Sequence, residues 1–306
     1  MRIVIALGGN ALIRKNEPFS IETHDINANL AIKSISKIIQ DNEVVITHGN
    51  GPQVGEEFFR NVFTIGKVFT LSLDYLNAQT QGWIGYLLEK HVRNETGKKT
   101  ATLITLVEVN PNDNAFLNPT KFIGKFFSYE ESKELSLKYG WKFKKDSDRG
   151  YRVVVPSPKP IRILNKDAIV NLLENQFVVI AVGGGGIPVV VEHNKYIRGV
   201  EAVIDKDLAS ALLAIEINAD IFMILTEVEK VYLNYKKENE KPLDIVKVDE
   251  LEKYYNEGHF PDGSMGPKVL AVIDFVKKTK KRAIITSLDK AYEGFLNKTG
   301  TIIIPW

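Results

Sequence analysis

Along this chain, dense apolar runs end in glycine-rich turns and alternate with longer stretches of helical periodicity. The first run, Arg2-Ile-Val-Ile-Ala-Leu7, is almost unbroken, as expected for a strand covered on both faces of a parallel sheet. Gly8-Gly9-Asn10 follow it directly. The same sequence of events recurs at 43–47, which runs into His48-Gly49-Asn50-Gly51, and at 177–182, which runs into Gly183-Gly184-Gly185-Gly186. Between these runs, Ile26, Leu30, Ile35 and Ile38 predict a helix over 23–40. A long helical region is expected over 71–92, a strand over 100–107 and a helix over 166–175. Further on, 220–226, 283–286 and 301–304 read as strands and 289–295 as a helix. Strand, loop, helix, strand is the grammar of an α/β sheet that binds ligands at the carboxyl ends of its strands.

Residues 110–158 break this rhythm. Asn110-Pro111-Asn112-Asp113-Asn114 and Asn118-Pro119-Thr120-Lys121 are rich in turn formers, a short helix is expected near 130–139, and strand-forming residues return at 151–156. The stretch reads as an excursion from the main sheet, suited either to a lid or to a passive surface elaboration. His193-Asn194-Lys195 is expected to turn a hairpin.

Two predicted helix starts carry an unusual charge. Asp205 stands at an N-cap position, with Leu208, Leu212 and Ile215 at helical spacing behind it. Asp207 suits the positive end of the helix dipole, but Lys206 opposes it unless an anion lies alongside. The second start is Gly263-Ser264-Met265-Gly266-Pro267-Lys268. Pro267 suits the first helical position, and Lys268 again falls at the wrong pole. Either lysine alone could sit on an ordinary surface helix. The pair suggests one polyanionic ligand held between them.

Composition narrows the chemistry. The 306 residues carry 40 basic and 38 acidic side chains, a net charge of +2, with no block of like charge to suit a nucleic acid. Cysteine is absent, which excludes disulfides, thiolate nucleophiles and cysteine-bound metals. The five histidines have no metal-ligand spacing. No apolar run approaches the ~20 residues of a membrane span, and a cytoplasmic protein without a membrane partner is expected. The spacing of Gly49, Gly51 and Gly55 departs from the dinucleotide fingerprint, and Gly258 and Gly263 are followed by Ser264-Met265 where a phosphate-binding P-loop needs Lys-Ser/Thr. Phosphate chemistry here would need other machinery.

In order along the chain, Gly8-Gly9-Asn10, His48-Gly49-Asn50-Gly51-Pro-Gln-Val-Gly55, Gln81-Gly82-Trp-Ile-Gly85-Tyr, Asn-Pro-Thr-Lys121, Gly183 to Gly186, Asp205-Lys206-Asp207, Ser264-Met265-Gly266-Pro-Lys268 and Thr299-Gly300-Thr301 resemble the carbamate kinases of the amino-acid kinase superfamily. The resemblance implies an α/β fold, a three-layer αβα sandwich with a mainly parallel open sheet and a small protruding subdomain. It implies an N-terminal lobe over 1–190 for the phosphoryl acceptor, a lid over about 110–158 and a nucleotide lobe over 191–306. The implied reaction is reversible phosphoryl transfer between ATP and carbamate, giving ADP and carbamoyl phosphate, with Mg²⁺ held mainly by the nucleotide phosphates. Lys121, Lys206, Asp207 and Lys268 match the catalytic positions. Gly8, Gly9, Asn10, Gly49, Asn50, Gly51, Gly183 and Gly184 would cradle acceptor and phosphate. Asp205, Thr226, Glu227, Val231, Tyr232, Met265 and Gly266 would meet the nucleotide. A homodimer in arginine metabolism is also implied. The alternatives are a relative phosphorylating another small carboxylate, or a nucleotide-binding relative without catalysis.

Overall fold

The computed structural model describes residues 1–14, 16–146, 149–260 and 264–306, and of Asn10 the backbone alone. Gly263 of the second helix-start motif lies outside the described residues. An eight-stranded sheet runs through the molecule in the spatial order Ile245–Lys247, Thr301–Ile304, Arg282–Ser287, Ile221–Thr226, Arg2–Leu7, Glu43–His48, Val178–Ile180, Thr100–Thr102. Every neighbouring pair is parallel except Arg282–Ser287 with Thr301–Ile304, so the mainly parallel sheet expected from the unbroken apolar runs is present.

Both sheet faces are covered, because successive side chains of a strand point to opposite sides. In the first strand, Val4 and Ala6 belong to one apolar layer and Ile3, Ile5 and Leu7 to the other. Helix α1 (Ile21–Gln40) covers the second layer. Helix α2 (Gly51–Phe63) leads off the second strand, and α3 (Leu73–Thr96) packs along α1. Helix α4 (Tyr129–Tyr139) lies in the excursion, while α5 (Lys166–Glu174), α6 (Lys206–Glu216), α7 (Val248–Asn256) and α8 (Met265–Thr279) pack on the first layer. Helix α9 (Ala291–Phe295) returns to the face of α1. This is the αβα sandwich. Among the described residues no helix is long and apolar enough to cross a membrane.

Several local expectations change. In α1, Ile26 and Leu30 are exposed, and the buried stripe is Ala28, Ala31, Ile32, Ile35, Ile38 and Ile39; small alanines let the helix sit close to the sheet. The single strand expected over 100–107 breaks between Thr102 and Leu106. Its second part, Leu106–Val109, joins a separate sheet with Ile187–Val191, Ile197–Gly199 and Pro160–Ile163. Helix α7 was not foreseen, since only Val248 and Leu251 in it are fully buried. Pro267 is the third residue of α8, which begins at Met265 behind Ser264. The hairpin around His193-Asn194-Lys195 is present, joining Ile187–Val191 to Ile197–Gly199.

The excursion has its own three-stranded antiparallel sheet, Lys121–Phe127, Tyr151–Val155 and Phe143–Lys145. Its apolar side, with Ile123, Phe127, Val153 and Val155, packs on Val54 and Phe59 of α2 and on Leu73 and Leu76 of α3. The contact with α2 is made backbone to backbone: a Cβ on Gly55 would stand 2.0 Å from the Gly124 nitrogen. A side chain at either glycine would push the small sheet off α2.

Candidate functional site

The turn into α6 carries three charged side chains in succession, Asp205, Lys206 and Asp207. Asp205 caps the helix, accepting from the backbone N–H of Asp207 at 2.9 Å and of Leu208 at 3.3 Å. The next residue, Lys206, is only 8% exposed, and its ammonium donates to Asp207 Oδ1 at 2.6 Å. From the first turn of α8, Lys268 donates to Asp207 Oδ2 at 3.2 Å and to the Ser264 carbonyl at 3.2 Å. One buried carboxylate therefore holds two ammonium groups, one from each of the helix starts singled out by charge. From the small sheet, Lys121 Nζ reaches Asp205 Oδ2 at 2.7 Å. The misplaced lysines are answered first by Asp207 and only then by any ligand.

The ionisation of this cluster follows from its geometry. Burial would raise the pKa of Asp207, but Lys206 and then Lys268 outweigh it and hold the carboxyl well below the usual range. Burial pulls Lys206 down against the attraction of Asp207, with Lys268 adding to the pull. Burial also opposes the charge of Lys268, yet Asp207 wins and raises its pKa. For Asp205, burial is again the largest effect and Lys121 reverses it, so the carboxyl is lowered. Beneath Lys206 lies His48, whose pKa is lowered to about 4, mainly by burial, with the Gly49 carbonyl opposing and Lys206 assisting. At neutral pH it is an uncharged imidazole, and it offers no cation to the site.

Glycine-rich turns close around these charges. The Lys206 stem runs over Gly49: a Cβ there would be 3.7 Å from Lys206 Cδ. Gly183 lies against the His48 ring, and Gly184, at φ +65°, stands directly over the Asn50 side chain, where a Cβ would fall 2.3 Å from Cγ. Asn50 stands at the N-cap of α2 without capping it by side chain, and Gly51 opens the helix. Gly8 and Gly9 leave the first strand toward the same face, with the Ala11 N–H closing a short turn onto the Gly8 carbonyl. Below, Thr47 Oγ1 and Ser210 Oγ are 2.6 Å apart, and the Ser210 hydroxyl donates to the Lys206 carbonyl, pinning the first turn of α6 to the sheet.

Next to Lys268 opens a cleft of about 370 Å³ lined by Gly8, Gly9, Thr226, Glu227, Tyr232, Ser264 and Met265, with Val228, Tyr235, Lys236 and Phe260 completing it. Of the residues expected at the nucleotide, Thr226, Glu227, Tyr232 and Met265 line this cleft. Asp205 faces Lys121 instead. Val231 is fully buried, its N–H donating to Thr301 Oγ1, and Gly266 is buried within α8. Phe260, Tyr235 and Lys236 escaped the sequence reading because they come from connections with no periodic pattern. Among the described residues no group of three or more His, Asp or Glu side chains could hold a metal ion. With three ammonium groups facing two carboxylates, the site suits an anionic ligand such as a phosphate chain.

Residues 1–287 match the amino acid kinase family. The chain is 49% identical to the carbamate kinase of Pyrococcus furiosus, over 99% of each chain. To the carbamate kinase of Trichomonas vaginalis it is 47% identical, over 100% of each. The solved structure of a Giardia lamblia carbamate kinase bound to AMP-PNP superimposes with a TM-score of 0.91 at 42% identity, covering 99% of this chain and 98% of that one. The match in sequence and in fold spans nearly the whole chain, which belongs to the amino acid kinase family, among its carbamate kinases.

Proposed function

We propose that the protein is a carbamate kinase that transfers a phosphoryl group reversibly between ATP and carbamate, giving ADP and carbamoyl phosphate. The observation that carries this reading is the meeting of Lys206 and Lys268 on Asp207, between the cleft at Thr226 and the glycine turns at Gly49–Gly51 and Gly183–Gly184. That the Giardia relative was solved with AMP-PNP bound supports nucleotide binding by this fold.

A carbamate oxygen attacks the γ-phosphorus, the bond to the ADP oxygen breaks, and the electron pair leaves with ADP. Carbamate is already anionic, so no general base is required, in keeping with a neutral, buried His48. The barrier lies in joining two anions and in the charge on the equatorial oxygens. Lys206 and Lys268 neutralise that charge, and Asp207 keeps both ammonium groups in place. The N-terminus of α2 and the turn at Gly183–Gly184 turn amides toward the acceptor side. Lys121 draws carbamate in from the small sheet. Mg²⁺ would be held mainly by the nucleotide phosphates and would supply neutralisation of their charge, while Asp207 and Asp205 hold Lys206, Lys268 and Lys121.

The lobe division at about 190, the lid role of 110–158, the cytoplasmic setting and a place in arginine metabolism belong to the same proposal. A homodimer does too, supported by exposed Ile26, Leu30 and Tyr86 on the packed helices α1 and α3. The test is ATP formation from ADP with carbamoyl phosphate, beside acetyl phosphate and acetylglutamyl phosphate. Carbamoyl phosphate should be preferred by orders of magnitude. Preference for either of the others assigns the enzyme to a different acceptor.

A further inference from the structure

Helix α3 contributes no side chain to the charged cluster, yet one of its faces is polar where the rest of the interface is apolar. Asn77, Thr80 and Gln81 are 0%, 0% and 2% exposed, and at i, i+3 and i+4 they share one side of the helix. Each is fully engaged with a loop of the site. Asn50 Nδ2 donates to Asn77 Oδ1 at 3.1 Å and to Thr80 Oγ1 at 2.9 Å. The other end of the Asn77 amide, Nδ2, donates to the Ala202 carbonyl at 2.9 Å. Gln81 donates to the Gly183 carbonyl at 2.9 Å and accepts from the Thr105 N–H at 2.9 Å.

Asn50 and Ala202 flank opposite halves of the reaction. Asn50 stands at the N-cap of α2, under Gly184 on the proposed acceptor side, while Ala202 lies three residues before Asp205 in the segment that delivers Lys206 and Asp207. With both amide hydrogens directed at α3, the Asn50 side chain has none left for an anion. A single buried amide joins the two loops, using its oxygen for one and its nitrogen for the other. No apolar side chain can do both, and a hydroxyl would be too short.

We infer that Asn77 is a positioning residue for phosphoryl transfer: it fixes the acceptor loop at Asn50 relative to the Asp205–Lys206–Asp207 turn. The inference rests on the proposed kinase activity. The nucleotide cleft contains neither Asn50 nor Ala202, so removing the link misaligns acceptor and phosphoryl group while the nucleotide still binds.

The experiment compares wild type, Asn77→Ala and Asn77→Asp in ATP formation from ADP and carbamoyl phosphate, with thermal melts alongside. Asn77→Ala should lower kcat about 10- to 100-fold, the scale of a small misplacement of reacting groups, and leave KM for ADP within about twofold. In Asn77→Asp only the protonated carboxyl can donate to the Ala202 carbonyl. Its activity relative to wild type should therefore rise as pH is lowered, a readout that general loosening would not give. Unchanged kcat in a folded Asn77→Ala overturns the inference, as does a loss of kcat matched by an equal loss of ADP binding. If Asn77→Ala does not fold, the pH ratio of Asn77→Asp decides: a flat ratio overturns the inference and a rising one supports it. A wild type that makes no ATP refutes the kinase reading instead, so the two failures are separable.

Discussion

The site draws its charges from two unlike regions. At the turn into α6, Lys206 and Asp207 are buried, anchored by the Asp205 cap, by the Thr47–Ser210 pair and by the sheet below. In the small sheet, Lys121 is 29% exposed in its side chain and has one ion pair with Asp205, on a layer attached to α2 by aromatic packing and a glycine contact. The difference teaches a division of labour. The charge proposed to stabilise the transition state stands on the buried core, where little reorganisation is needed. Lys121, proposed to meet and release a small acceptor, stands on a peripheral layer.

Four changes would break or sharpen that contrast. The largest effect is expected from Asp207→Ala, which leaves two ammonium groups facing each other without their carboxylate. It should destabilise the fold by about 3–5 kcal/mol in urea melts and abolish turnover, and a loss below about 1 kcal/mol would mean that the cluster is better solvated than its burial implies.

Next is the pH dependence of the buried hub. His48 is neutral in the fold at a pKa of about 4, against an ordinary 6.5. Between these values the unfolded chain binds the extra proton, so stability is complete above pH 6.5 and falls as pH drops toward 4, by about 3 kcal/mol. Melts of His48→Gln across the same window should show a shallower fall, and an equal slope would remove His48 from the account. Asp207, whose pKa is depressed, adds its own loss only in stronger acid.

Gly55→Ala tests the seat of the small sheet. Its Cβ would meet backbone, which cannot rotate away, so a cost of about 1–3 kcal/mol is expected, together with a higher KM for carbamoyl phosphate. Wild-type kinetics would detach the small sheet from acceptor binding. The mildest change is Lys121→Ala, which should raise KM for carbamoyl phosphate about tenfold, roughly 1.4 kcal/mol, with kcat nearly kept. A large fall in kcat instead would move Lys121 from the periphery into the transfer step itself.

The same contrast explains what could be read from the chain alone. Strands such as Arg2–Leu7 and Ile221–Thr226 are buried on both faces, so continuous apolar runs mark them. The start of α6 was legible because Asp205 is a local cap and Lys206 a local anomaly. That Lys206 and Lys268 share Asp207 is implied by the family resemblance, which makes Asp207 the acid positioning both lysines, and by no local pattern, since α6 and α8 are brought together by packing on the sheet. Helix α7 escaped because most of its surface is polar, and Ile26 and Leu30 misled because apolar residues on α1 also face outward. Gln81 is marked by the motif Gln81-Gly82, but its contacts and those of Asn77 and Thr80 are not: Thr105 lies 24 residues from Gln81 and Ala202 lies 125 from Asn77, separations no local pattern encodes.

The central claim, that Lys206 and Lys268 act as one unit on the transferring phosphoryl group, is tested most directly by kcat for Lys206→Ala, Lys268→Ala and the double variant, each checked for an intact fold. Each single change should lower kcat on the order of 10²–10³-fold, and the double should fall little further than the worse single, as for groups that function together. Losses that multiply, or near-normal turnover in either single variant, would contradict it.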